Sequence, residues 1–113
     1  MFLARVTGHV VSTKKDKALG GQKLMVVEPL NVKYEPNTTT PASLGNTGRA
    51  IVAIDVVGVG DGQLVLVVQG SSARMTDQTK NMPADAVIVG IVDSAVYSGK
   101  SFYQATDEKW GER

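Results

Sequence analysis

Ala50-Ile51-Val52-Ala53-Ile54-Asp55-Val56, then Gly58-Val59-Gly60-Asp61-Gly62, then Gln63-Leu64-Val65-Leu66-Val67-Val68-Gln69: two β-branched and aliphatic runs are separated by a turn in which three positions are glycine. Runs this short, bounded by turn residues and rich in valine and isoleucine, read as strands rather than helices. Their continuous apolar character predicts burial on both faces over part of their length. Valine is the commonest residue, at 17 positions, and with 4 isoleucines it supplies the β-branched content of pleated segments.

The same reading extends to either side. Ala4, Val6, Gly8 and Val10 alternate with Arg5, Thr7 and His9, the period-two pattern of a first strand from about Phe2 to Ser12. That alternation puts His9 on the face opposite Val6 and Val10. A charged connection, Lys14-Lys15-Asp16-Lys17, ends in Gly20-Gly21, and Lys23-Leu24-Met25-Val26-Val27-Glu28 then resumes as a second strand stopped by Pro29. Asn31 to Gly48 is poor in aliphatic residues and reads as a long exposed loop, about 31–48. Gly70-Ser71-Ser72-Ala73-Arg74-Met75 predicts a short helix capped by Ser71 or Ser72. Asp85-Ala86-Val87-Ile88-Val89-Gly90-Ile91-Val92-Asp93 is a fifth strand, and most of the aromatic residues follow it. The expected fold is all-β: a small five-stranded barrel with one short helix after the fourth strand, closed because closure removes exposed strand edges. It occupies residues 1–94, with a C-terminal tail, 95–113, packing on the barrel or on a neighbouring subunit.

Composition narrows the function. At 113 residues the chain has the size of one domain. Its formal charge of +1 favours neither a polyanion nor an acidic membrane surface. There are no cysteines, which removes disulfides, thiolate metal sites and cysteine nucleophiles together. The first residues do not read as a secretion signal, and no stretch approaches the roughly 20 apolar residues that span a bilayer. A soluble cytoplasmic protein is the expectation.

No catalytic, metal or cofactor constellation emerges. The turn at 58–62 places Gln63 where a dinucleotide fingerprint needs its third glycine, and no Gly-Lys-Ser/Thr follows. His9 is the sole histidine, too few for a histidine metal site. Ser71 and Ser72 have no Gly-x-Ser-x-Gly elbow around them. Asp55, Asp61, Asp85 and Asp93 sit at strand ends and turns, where aspartate is ordinary. Asn37-Thr38-Thr39 matches a glycosylation sequon by coincidence in a chain without a leader. A small barrel also raises an oligonucleotide-binding module for single-stranded nucleic acid or a small ligand, but the strands carry almost no stacking aromatics.

Four blocks in order resemble the EutN/CcmL family, the vertex proteins of carboxysomes and related bacterial microcompartments. They are Val6 to Lys15 with Leu19 to Pro29, Asp55 to Gly62, Gln69 to Arg74, and Asp85-Ala86 through Gly90-Ile91-Val92-Asp93. The resemblance implies an OB-like five-stranded barrel, homopentamers at the five-fold corners of a shell, and facets made by a different, hexameric protein. It implies no cofactor and no reaction. It also implies that the loop of Gly58, Val59, Gly60, Asp61 and Gly62 lies near the five-fold axis, and a subunit interface to which Arg74, Asp55, Asp93, Ser71 and Ser72 contribute. Arg74 would reach Asp55 or Asp93 of a neighbour as a bidentate donor. One departure stands out: the family's loop usually ends in glutamate where this chain has Gln63.

Overall fold

The central strands are apolar on both faces, and this decides the architecture. A computed structural model describes residues 1–12, 21–39, 41–70 and 85–105. They form β1 (Phe2–Val10), β2 (Lys23–Tyr34), β3 (Ala42–Asn46), β4 (Ile51–Asp55), β5 (Leu64–Gln69), β6 (Ala86–Ile91), β7 (Ser94–Tyr97) and β8 (Lys100–Gln104). β1 pairs with β5 on one side and β2 on the other, β2 with β4, β4 with β6, and β6 back to β5. These five strands therefore close into the expected OB-like barrel. Every pairing is antiparallel except β4–β6, which is parallel and brief, matching Ile54 with Val87 and Asp55 with Ile88.

Valines and alanines fill the barrel. Ala4, Val6, Val27, Val65, Val67 and Ile88 are at most 1 % exposed and pack in one cluster with Met25 and Ala53. Each large side chain so buried contributes about 1.5–3 kcal/mol of hydrophobic stabilisation. The opposite faces of the same strands build two further clusters. Ile54 and Val87 pack with Leu24, Val56, Val68 and Val89. Leu64 packs with Leu30 and Tyr103, flanked by Leu3, Leu44 and Val92. The two-sided burial expected of the runs that form β4 and β5 follows from this arrangement.

Three departures from the sequence reading have physical causes. Residues 31–48 are not one long loop: β2 continues to Tyr34 and pairs with β3, from Leu30 opposite Asn46 to Tyr34 opposite Ala42. Pro29 does not stop the strand, because it falls where the partner changes, after the β4 pairing ends at Val27 and before the β3 pairing begins at Leu30. The first strand carries a bulge: Val6 faces Val27 but Gly8 faces Val26, so two β1 residues oppose one on β2. The bulge reverses the alternation, and His9 stands opposite Met25 instead of facing away from the core side. The tail begins as the β7–β8 hairpin, and Tyr103 and Ala95 bring it onto the barrel. The helix expected over Gly70–Met75 falls, beyond Gly70, outside the described residues.

Candidate functional site

Asp55 organises the glycine loop. Its side chain is 6 % exposed at the end of β4, and its carboxylate accepts three backbone hydrogen bonds. The Val57 and Gly58 N–H groups donate to Oδ1 at 2.9 and 2.8 Å, and the Val59 N–H donates to Oδ2 at 2.8 Å. An ionised acceptor strengthens each bond, and the chain is wrapped tightly round one carboxylate. The wrap turns Val59 inward, 5 % exposed, where it joins the core cluster. Val59 is thus a buried anchor for the loop, and its side chain faces the barrel.

The far end of the loop is tied to β1. The Gly62 N–H donates to the Val6 carbonyl at 2.8 Å, and the Val6 N–H donates to the Gln63 carbonyl at 3.0 Å. Arg5 donates from Nη1 to the Gly62 carbonyl at 3.1 Å, and its guanidinium lies 5.9 Å from the Tyr103 ring centroid. Strand, loop and tail hairpin meet at this one cation. Gln63 accepts the Gly60 N–H through Oε1 at 2.8 Å. The glutamine keeps the acceptor oxygen that a glutamate offers there and omits the charge.

Gly58 and Gly62 take φ of 98° and 88°, which side chains rarely adopt. At Gly58 an added Cβ meets nothing within 4 Å, so only conformation opposes it. Gly58→Ala is expected to lower stability by about 1–2 kcal/mol. Denaturant unfolding measures this; a loss of only a few tenths would show that the turn has an unstrained alternative.

Asp61 stands exposed at the tip and borders a groove of about 590 Å³ at the mouth of the barrel. The groove runs between the loop and the start of β2, lined among others by His9, Val11, Lys23, Leu24 and Val59. His9 reaches it because of the bulge in β1. Val11 is 82 % exposed. Of the remaining interface candidates, Asp93 is exposed and its backbone carbonyl accepts the Ala105 N–H at 2.9 Å. Ser71, Ser72 and Arg74 lie outside the described residues. Asp85 is exposed, and its carbonyl accepts the Gly70 N–H at 2.7 Å.

At the other end of β2, Tyr34 meets Tyr97 of β7 with ring centroids 4.9 Å apart. The hydrogen bond that the Tyr97 hydroxyl shares with the Tyr34 side chain favours its protonated form and raises the Tyr97 phenol above its ordinary value. Tyr34 is 55 % exposed, and Val32, on the same face, 49 %. The neighbouring Val96 is 60 % exposed. The composition of the tail pointed to aromatics, but the surface they form with β2 depended on a strand read as a loop. Phe2 and Tyr34 are the only aromatic residues on β1 to β6, so the barrel has no row of rings on which bases would stack. Among the described residues, no three His, Cys, Asp or Glu side chains gather as a metal site.

The profile described as "Ethanolamine utilisation protein EutN/carboxysome" matches residues 1–93. The chain belongs to the EutN/CcmL family. It is 39 % identical over 100 residues to the bacterial microcompartment shell vertex protein EutN of Salmonella typhimurium, covering 88 % of this chain and 91 % of that one. Among solved structures, CcmL of Gloeobacter violaceus superposes with a TM-score of 0.80 at 29 % identity, over 95 % of this chain and all of that one. GrpN, a pentameric microcompartment shell protein from Rhodospirillum rubrum, gives 0.68 at 40 % identity, over 86 % of this chain and 100 % of its own. In this EutN/CcmL chain the loop that Asp55 holds falls inside the segment matched by the family.

Proposed function

We propose that this chain forms rings of five that close the five-fold vertices of a bacterial microcompartment shell. The observation that carries the reading is the match to shell vertex proteins over most of the chain, in sequence and in fold, including a relative solved as a pentamer. The role is structural, and the protein is not an enzyme. Closed cyclic assembly of identical subunits needs two unlike surfaces that fit each other, repeated until the rotation shuts. A barrel closed on itself suits this task, because it leaves few strand edges for uncontrolled pairing. In the shell the ring meets facets built from hexameric shell proteins.

Native mass spectrometry tests the ring directly. The expected species is five times the 12.0 kDa chain. A single-chain mass at every concentration, with and without shell facet proteins, would overturn the proposal.

A further inference from the structure

Two surfaces at the rim of the barrel mouth each carry an uncovered aliphatic side chain beside a charge, and the two charges are opposite. On β1 and β2, Val10 stands opposite Leu24, which sets Val11 beside Lys23 in the wall of the groove. Both are exposed. On β6, Ile91 is 38 % exposed, and Asp93, two residues on, is exposed as well. The aliphatic group and the charge are about 5 Å apart across paired strands on the first surface and about 7 Å apart along the chain on the second. Among the described residues neither Lys23 nor Asp93 is ion-paired within its own subunit.

The sheet registers fix how far apart these surfaces lie. Lys23 pairs with Asp55, Asp55 pairs with Ile88, and Ile91 follows three residues later. Two strand spacings and three residues of rise put Ile91 about 14 Å from Lys23. Points that far apart on one subunit coincide around a five-fold axis at a radius of about 12 Å. A joint built from them sits close to the axis, as does the Gly58–Gly62 loop in the expected ring. The Tyr34–Tyr97 pair, about 35 Å away at the other end of β2, stays outside it.

Resting on the pentamer reading, we infer that each joint of the ring sets Val11 and Lys23 of one subunit against Ile91 and Asp93 of the next. The partner at the groove is then a second copy of this chain. Two different edges meet, so the contact is head-to-tail, as a cyclic ring requires. Packing Val11 on Ile91 removes apolar surface from water, and the Lys23–Asp93 pair sets the register. The joint also gives the Asp55 clamp a purpose in assembly: by fixing Val59 and Gly60, the carboxylate holds the groove wall that faces Lys23.

The test is charge reversal read by native mass spectrometry and sedimentation. Asp93→Lys and Lys23→Glu each place like charges at every joint, and each is expected to raise the concentration for half-dissociation about tenfold or more. The double variant restores opposite charges and is expected to bring that concentration back to within about threefold of wild type. Val11→Asp should weaken the ring as much as either reversal, whereas Val32→Asp, an exposed position toward the far end of β2, should leave it unchanged. Circular dichroism checks that each variant keeps the barrel. Lys23 lies opposite Asp55, so if Lys23→Glu loosens the fold, Asp93→Lys and Val11→Asp decide the matter. If wild type is pentameric while Asp93→Lys and Val11→Asp leave the ring unchanged, or a folded double variant fails to recover, or Val32→Asp dissociates the ring equally, the joint is wrong and the pentamer stands. If wild type is itself monomeric, the proposed function fails first.

Discussion

Asp55→Ala is expected to destabilise the barrel by about 3–5 kcal/mol, because it removes an acceptor on which three backbone N–H groups depend. The Val59 amide is buried and has no other acceptor in view, so its desolvation goes uncompensated. The Val57 and Gly58 amides are more open and recover part of the loss from water. Removing the carboxylate also frees Val59 to leave the core, adding up to about 2 kcal/mol of lost burial to the same event. For a domain of this size the melting temperature should fall by roughly 12 °C or more. Asp55→Asn retains one carbonyl oxygen without the charge and should cost about half as much. Chemical denaturation of both variants, at a concentration where the oligomeric state matches wild type, measures the effect. An Asp55→Ala protein within about 0.5 kcal/mol of wild type would show that the loop holds itself, and that the carboxylate is incidental to the groove.

The legibility of this fold in its sequence tracks burial. β4 and β5 were readable because both faces are covered, which leaves unbroken aliphatic runs between glycine and aspartate. β3 and the end of β2 were hidden because they form an exposed hairpin: Asn31, Lys33 and Ser43 look like loop residues when the pattern behind them, Leu30, Val32 and Tyr34 against Leu44, is sparse. The bulge at Thr7 had no signal of its own, and one extra residue was enough to move His9 to the groove. The site was legible in part. Glycine spacing marked the turn at 58–62 but not the burial of Val59 within it, because a loop has no periodicity that tells inside from outside. Asp55 was read as an ordinary strand-end aspartate and a partner for Arg74. The cue to its hold on the loop was the glycine three residues on, at a spacing where a side-chain carboxylate caps the following amides.

Leu64→Ala is expected to cost about 3–5 kcal/mol and to loosen the tail hairpin more than the barrel. Leu64 is fully buried, but its side chain points outward from β5, into the cluster with Leu30 and Tyr103 that seats β7–β8. Its backbone carbonyl also accepts the Val92 N–H at 2.9 Å, at the point where the chain leaves β6 for the hairpin. Truncation keeps that hydrogen bond and opens a cavity beneath the hairpin, so the two contributions separate. Val67→Ala is the matched control, since Val67 faces the barrel interior and touches none of the hairpin's cluster. Hydrogen exchange should show the amides of Ala95 and Tyr103 losing protection in Leu64→Ala beyond the global loss, while in Val67→Ala all strands lose protection together. If the hairpin amides in Leu64→Ala followed the barrel amides, the hairpin and the barrel would be one cooperative unit. The Tyr97 side of the aromatic pair would then be as rigid as the core. The outward cluster instead makes the hairpin a separable element, so its seating on Leu64 governs how firmly Tyr97 is held against Tyr34.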